Sequence, residues 1–565
     1  METTQASRKP FPWHWLFLGL CAIYLFMLGA MPLNNPDEGR YAEIPREMVA
    51  SGDWVSPRLN DTVYFEKPPL VYWANAISLK VFGPHEWAMR LVPVAFAFLG
   101  LGLTVVAARR LASPRAGWLA GILLASCVLY FALARILILD MAVSVLISGT
   151  LFCFILGIRE PAGGKRRLWF YGLYTFAALA TLAKGLIGFM LPGAVMFLWL
   201  LLFNQWRRLL PLYLPTGLLL FLAIALPWHL LAAEHNPQWA NFYFVHEHWL
   251  RFTTSTHSRT APFWYFVPIL LLGLIPWTGL LVPTVQSLLR EGWAKRHQHL
   301  ETWFLLLWAA FIFLFFSRSQ SKLAPYILPI FPALAVMIAT WLDRAFESED
   351  RSRLRLGLII NGAFLAIVVL ALAVIAVKPG LIRQKDIADV IRPYAIGLAA
   401  VLAFGIALGV HFLRRQALRS TLISQALTMG ALLIGVCLVS PMIVKRNTRE
   451  LAAVVNQRFT EGDVIYHYRG FFHDFLFYSG RTVGTVDCEN ELELDIDPKA
   501  RTSGRFITEA EFLAQWEGPH RLWVVARKSE VRSENPKETK LFDRPGFKAN
   551  IIAENAQHVL FSNKP

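Results

Sequence analysis

Between Asn34 and Pro69 the chain reads NNPDEGRYAEIPREMVASGDWVSPRLNDTVYFEKPP, and the residue types crowded there suit chemistry on a charged substrate. Asp37 offers a carboxylate to orient or deprotonate an acceptor, while Arg40 and Lys67 offer cations for a departing phosphate. Tyr41 and Tyr64 add neutral hydrogen-bond donors, and Glu38, next to Asp37, reads more simply as a helix-start or structural carboxylate. Two further ionisable residues interrupt apolar runs: Asp140 in ALARILILDM and Lys184 in TLAKG. Such groups at membrane depth are costly unless paired or functional. A substrate-facing Asp140 is the functional reading, an internal Arg135–Asp140 salt bridge the structural one. Lys184 completes the set of cations for a phosphate.

Two more polar stretches belong with these. Trp239 to Phe266 (WANFYFVHEHWLRFTTSTHSRTAPFWYF) gathers His246, Glu247, His248, Arg251, His257 and Arg259 among aromatic anchors. Zinc takes three or four converging ligands, so HEH alone is weak; Glu66 of the first stretch is a partner it would need. Phe315 to Pro332 (FFSRSQSKLAPYILPIFP) brings Arg318 and Lys322 to a membrane edge. There they suit phosphate, with interfacial snorkelling as their plainer role.

The elements that must hold these residues are apolar helices. Hydrophobic residues make up 55% of the 565, against 17% charged, and the mean hydropathy of +0.44 is high for a soluble chain. Apolar periodicity predicts about thirteen spans, at 13–30, 87–108, 115–133, 138–158, 171–183, 185–203, 210–231, 263–283, 300–316, 323–341, 356–377, 393–413 and 422–441. Basic residues such as Arg8–Lys9, Arg109–Arg115, Arg159–Arg167 and Arg207–Arg208 fall in alternate connections. Cytoplasmic enrichment of Lys and Arg then places the amino terminus inside, and the polar stretches and the tail after Pro441 outside. Reading 171–203 as one broken helix would upset that alternation for every later loop. Pro68 to Phe82 is too short and polar for a span and reads as an amphipathic helix on the outer surface.

The formal charge of +16 is accounted for by basic inner loops facing anionic lipid, and nothing in the pattern points to nucleic acid. Five cysteines, only Cys488 clearly in the outer tail, give no disulfide framework. Beyond Pro441 the period changes. Residues 463–470, 475–486 and 521–528 read as strands, and 508–516 as a helix capped by Thr508, so residues 445–565 are expected to form a small α/β domain after a membrane domain of residues 1–441 whose catalytic loop spans 31–86. There is no nucleophile elbow, G-x-G-x-x-G fingerprint or Walker loop.

Several coordinated motifs resemble those of the bacterial aminoarabinose-transferase family of membrane glycosyltransferases. They are PDEGRYAEIPREMVASGDWVSPRL, YFEKPPLVYW, ILDM, TLAKG, EHWLRF with the following RTAPFWYF, and FFSRSQSKLAPYILP. The likeness covers nearly the whole membrane region, departing at Pro69 and Ala324. The resemblance implies a GT-C fold in the bacterial inner membrane, with the active site and tail domain periplasmic. It implies catalysis by Asp37 with Asp140 shaping the cavity, and an undecaprenyl phosphate held by Arg40, Lys67 and Lys184. Tyr41 and Tyr64 would add contacts to phosphate or sugar, and Arg251, Arg318 and Lys322 further cationic ones. It implies a divalent metal (zinc, magnesium or manganese) on Glu66 and His248. The implied reaction is inverting transfer of 4-amino-4-deoxy-L-arabinose from undecaprenyl phosphate to a lipid A phosphate by a monomer among membrane lipids, with resistance to polymyxin as its consequence. Transfer of another sugar, a glycan or protein acceptor, and lipid transport are the alternatives.

Overall fold

The computed structural model describes residues 12–243, 261–346, 351–378, 385–443, 447–488, 497–533 and 540–565. Among them eight helices are long and apolar enough to cross a membrane, or ten if each of two sharply bent pairs makes one span. This is a multi-pass membrane protein. Three of the thirteen expected spans are helical but short or interrupted: Trp13–Ile23, the second half of Gly164–Lys184, and Ile187–Phe203.

The helices divide by surroundings. In Asp140–Gly157, 94% of the most apolar 18 residues are buried, whereas the figures for Arg351–Val377 and Ile391–Arg414 are 17% and 11%. The first lies at the centre of the bundle; the other two turn most of their apolar surface outward, as helices bathed in lipid tails do.

Two expected spans, 115–133 and 263–283, are broken. Pro114–Ala125 meets Val128–Ala134 at 68°, and Phe263–Gly273 meets Thr278–Arg290 at 110°. A break at membrane depth leaves backbone groups without helical partners, and it is tolerated where protein supplies them. Here the two breaks supply each other. Trp277 Nε1 donates to Ser126 Oγ at 2.9 Å, and the Val128 amide reaches the Ile275 carbonyl at 3.4 Å.

At Lys184 the chain reverses rather than continuing as one helix. Gly185 adopts φ +85°, a left-handed conformation that favours glycine. Gly188 then lies so close to the preceding helix that a Cβ on it would stand 2.3 Å from the Ala180 carbonyl carbon. In a straight helix those residues would be ~12 Å apart. Lys184 therefore ends one helix, in the position where a cation complements the helix dipole.

Residues 464–562 contain a six-stranded mixed sheet. Its order is Phe506–Ile507, Gly484–Val486, Val464–Tyr468, Leu522–Arg527, His558–Ser562 and Asn550–Glu554; the first four strands are parallel, and the His558–Ser562 strand runs antiparallel to both its neighbours. Thr508 caps Glu509–Trp516 with a reciprocal capping box to Glu511. The segment 475–486 is only partly strand. Phe475, Leu476 and Phe477 belong instead to a short helix, His473–Ser479, that ends where Gly480 takes φ +66°. All three are buried, Phe475 and Leu476 in one apolar core and Phe477 in another, so packing overrides the strand preference of the two phenylalanines.

This sheet region does not stand apart. Ile44, Met48 and Leu59 share one apolar core with Leu451, Val455 and Phe475, so the charged stretch near the amino terminus and the carboxy-terminal region are packed together.

Candidate active site

The stretch 34–69 folds into the helix Asp37–Ser51 and a two-residue-stranded hairpin, Arg58–Leu59 with Thr62–Val63. Gly52 at φ +74° closes the helix. Leu70–Phe82 follows, beginning after Pro68–Pro69; it packs Val71, Tyr72 and Leu79 inward and leaves Ile77 and Val81 exposed. Between these elements six of the expected site residues converge.

Arg40 is the hub. Its Nη2 pairs with Asp37 Oδ1 at 2.6 Å, its Nη1 donates to the Tyr64 hydroxyl at 2.9 Å, and Glu66 Oε1 lies 4.0 Å away. The guanidinium also lies 5.5 Å from the centre of the Tyr41 ring and 5.9 Å from that of Tyr64. Burial opposes its charge, but Tyr64, Tyr41, Glu66 and Asp37 more than compensate, so Arg40 stays firmly protonated. Burial likewise pushes the Tyr41 and Tyr64 hydroxyls up, and they remain neutral donors. Lys67 Nζ donates to the Glu66 carbonyl at 2.7 Å and stands 3.7 Å from the Glu66 carboxylate. Asp37 is the most open member, with its side chain 53% exposed against 15% for Arg40.

A second cluster adjoins the first. Lys184 Nζ pairs with Asp140 Oδ1 and sits 5.0 Å from the centre of the Tyr326 ring. The helix Asp140–Gly157 begins where Gly164–Lys184 ends, because the two run antiparallel through a short turn. Tyr41 links the clusters: Arg40, Glu66, Asp37 and Asp140 are all among the charges acting on it. The Arg135–Asp140 bridge is not formed. Arg135 donates instead to the carbonyls of Tyr24 at 2.6 Å and Ile23 at 3.3 Å.

The remaining expectations fall differently. Lys322 is buried and tied to the carbonyls of Ala261, at 2.9 Å, and Ser319; Arg318 is exposed at the end of Leu300–Arg318. Neither joins the ion pairs above, and it is Tyr326, in the same stretch, that reaches Lys184. His248 and Arg251 lie outside the described residues. No group of three or more His, Cys, Asp and Glu side chains that suits a metal occurs among the described residues. Glu66, the described half of the expected pair, is shared by Arg40 and Lys67 and does not by itself make a metal site.

One partnership carried no sequence signal. Glu38 takes both Arg90 Nε and Nη2 at 2.8 Å, and it accepts the amides of Asn34 at 2.9 Å and Leu137 at 3.0 Å. Arg90 spends its other donors on the carbonyls of Leu28, Met31 and Pro32. This buried knot ties the start of the Asp37–Ser51 helix to the membrane bundle.

Chemically, the site presents one open carboxylate and three cations, each resting on a carboxylate. A phosphate is a suitable replacement partner for such cations, and Arg40 retains a planar fork for it.

Comparison with known proteins supplies a context. Residues 66–230 match a family model described as dolichyl-phosphate-mannose-protein mannosyltransferase. Over 391 residues the chain is 34% identical to the undecaprenyl phosphate-alpha-4-amino-4-deoxy-L-arabinose arabinosyl transferase of Shewanella sediminis, covering 68% of this chain and 69% of that one. The like-named protein of Aeromonas salmonicida is 36% identical over 63% of this chain and 64% of its own, and that of Edwardsiella ictaluri 34% identical over 63% of each. The chain thus spans slightly under two thirds of these last two relatives. The crystal structure of ArnT from Cupriavidus metallidurans bound to undecaprenyl phosphate superimposes with a TM-score of 0.83 at 29% identity, covering 98% of both chains. The fold is that of the GT-C glycosyltransferases.

Proposed function

Because the chain belongs to the undecaprenyl phosphate–aminoarabinose arabinosyl transferase family, we propose that it transfers 4-amino-4-deoxy-L-arabinose from undecaprenyl phosphate to a phosphate of lipid A. The observation that carries this reading is the half-open Asp37 beside the cations Arg40, Lys67 and Lys184, all at the ends of helices or in the connecting loop. The donor arrives as an anion. Arg40, Lys67 and Lys184 exchange carboxylate partners for its phosphate, and Tyr41 and Tyr64 direct neutral hydroxyls at the remaining oxygens. Asp140 holds Lys184 until the donor arrives and shapes that side of the cavity.

The step is a single displacement. An oxygen of the acceptor phosphate attacks the anomeric carbon; the bond from that carbon to the undecaprenyl phosphate oxygen breaks, and its electron pair leaves on that phosphate. The anomeric centre inverts. A phosphate monoester already carries negative charge near neutral pH, so Asp37 orients it and takes up a residual proton rather than creating a difficult nucleophile. The cations neutralise the charge that grows on the departing phosphate. A divalent zinc, magnesium or manganese on Glu66 and His248 would add positive charge near that phosphate.

In this reading the chain lies in the bacterial inner membrane with its amino terminus cytoplasmic. Residues 1–441 form the transferase domain, with its active site on the periplasmic face beside a domain of residues 445–565, and the chain acts as a monomer. The aminosugar masks negative charge on lipid A and weakens the attraction of polymyxin and other cationic peptides. The test is mass spectrometry of lipid A from Gram-negative cells that make the donor but lack their own transferase. Wild-type protein should add aminoarabinose to lipid A and Asp37→Asn should not. Folded wild-type protein that leaves lipid A unmodified, with donor present, would overturn the assignment in favour of another sugar or acceptor. Movement of labelled lipid without transfer would favour transport.

A further inference from the structure

The short helix His473–Ser479 lies far from Asp37 in sequence but against it in space. The His473 amide donates to Asn35 Oδ1 at 3.1 Å, two residues before Asp37. The Tyr478 hydroxyl accepts the Leu33 amide at 2.8 Å and donates onward to Glu86 Oε1 at 3.1 Å, at the start of the membrane helix Glu86–Leu111. Arg449 pairs with the same Glu86 oxygen at 3.1 Å. Two residues after Asp37, Gly39 backs onto the peptide between His473 and Asp474 so closely that a Cβ would stand 2.4 Å from the Asp474 nitrogen. That neighbour is backbone and has little room to give.

The same region grips the far end of the loop. Asn60 Nδ2 donates to the Val483 carbonyl at 2.9 Å, and the Val483 amide returns a bond to Asn60 Oδ1 at 2.8 Å. The Val63 amide donates to Asp497 Oδ2 at 3.1 Å. The loop that carries Asp37, Arg40 and Tyr64 is therefore bracketed at both ends by the carboxy-terminal region and shares its apolar core.

We propose that the carboxy-terminal sheet region is a positioning device for the transfer reaction, in which Asn35, Gly39 and Tyr478 are the positioning residues that set the Asp37 carboxylate. This rests on the function proposed above. Placement matters because a reacting group displaced by ~1 Å loses about 100-fold in rate. The Asp37–Ser51 helix has a mostly polar sequence and lies outside the membrane spans, so its placement must come from what it touches. Glu38 anchors it to the bundle from one side, and the His473–Ser479 helix fixes it from the other.

The test uses full-length protein in detergent with the undecaprenyl-phosphate-linked aminosugar and lipid A. Gly39→Ala should lower turnover about 10- to 100-fold with little change in the donor KM. Asn35→Ala should lower it several-fold, and Asn35→Asp, which keeps the acceptor oxygen, should recover most of the loss. Tyr478→Phe should raise amide hydrogen exchange across residues 33–51. Normal turnover and unchanged exchange in Asn35→Ala and Tyr478→Phe would overturn the proposal. So would a loss seen mainly as a raised donor KM without faster exchange, because it would make Asn35 a substrate contact. If Gly39→Ala does not fold, the Asn35 pair still decides. A wild type that transfers nothing would sink the reaction assignment alone, since the exchange measurement reads the grip on the loop without activity.

Discussion

Asp37 and Glu38 are neighbours in the chain with opposite fates, and the two flanks of their helix explain why. On the Glu38 flank the carboxylate is enclosed by the membrane bundle, with side-chain exposures of 3% for Glu38 and 2% for Arg90, and its hydrogen-bonding capacity is spent on Arg90 and two amides. On the Asp37 flank the carboxylate is more than half exposed and touches Arg40 through one oxygen. A saturated buried carboxylate holds structure; an open one beside cations has capacity left for a substrate. One helical step, ~100° of rotation, separates the two roles.

The sharpest way to break this contrast is to neutralise each acid in turn. Asp37→Asn should cost about 10² to 10⁴ in transfer rate while melting like the wild type. Glu38→Ala should do the reverse in kind. It strands Arg90 in the bundle and should cost ~3–5 kcal/mol of stability, read as a large fall in melting temperature or loss of folded protein. A stable Glu38→Ala protein with normal transfer would remove the knot from the account. A smaller effect is expected at the adjoining cluster. Lys184→Ala should weaken donor use roughly 10-fold through loss of one charge-assisted contact, measured as a raised donor KM; unchanged donor affinity and rate would leave Lys184 a purely structural partner of Asp140.

The smallest effect concerns pH and the carboxy-terminal region. Burial lowers His467 to about 3 from its ordinary 6.5, with His558 adding to the effect; burial lowers His558 to about 4, and His473 well below 6.5. Each contributes stability that is complete above 6.5 and is lost as pH falls. Burial raises Asp474 from 3.8 to about 7, against the amide bond it accepts from Thr448. Its contribution is complete below 3.8 and is lost as pH rises through about 7. Three imidazoles outweigh one carboxyl from pH 4 to about 7 and the two terms nearly cancel above that, so stability should rise with pH and then level off. Asp474→Asn removes the opposing carboxyl and should steepen the rise, most visibly between pH 6 and 8, which melting curves over that range would detect. A rise no steeper in that variant than in the wild type would show that Asp474 does not oppose the imidazoles.

What was legible in the sequence follows the range of the forces involved. The apolar runs, the Thr508 cap and the strands at 464–468 and 522–527 are set by local pattern and were readable. The bends at Ser126 and Leu274–Trp277 were not, because each half is apolar and the Trp277–Ser126 bond that ties the breaks together joins residues 151 apart. The hairpin at 550–562 is not among the predicted strands, because its apolar runs, IIA and VLF, are only three residues long and show no alternation. Among the site residues, Asp37, Arg40, Tyr41, Tyr64, Glu66 and Lys67 share one stretch, and their contacts follow from that proximity. Lys184 with Asp140 needed the helix pair that joins them. Tyr326 lay inside a quoted motif, but only the fold shows its ring under Lys184. Arg90 opens an ordinary apolar helix and lies 52 residues from Glu38, so nothing local announced that pair. The grip of the His473–Ser479 helix on Asn35 spans 438 residues and was beyond any sequence pattern.

The most direct test of the division of labour at this helix is a single-turnover transfer assay on purified wild type, Asp37→Asn and Glu38→Gln, each first checked for donor binding and thermal unfolding. Asp37→Asn should bind donor and unfold like the wild type yet transfer almost nothing, while Glu38→Gln should unfold at lower temperature and, where folded, still transfer. Near-normal transfer by Asp37→Asn, or a specific loss of transfer in a fully stable Glu38→Gln, would contradict it.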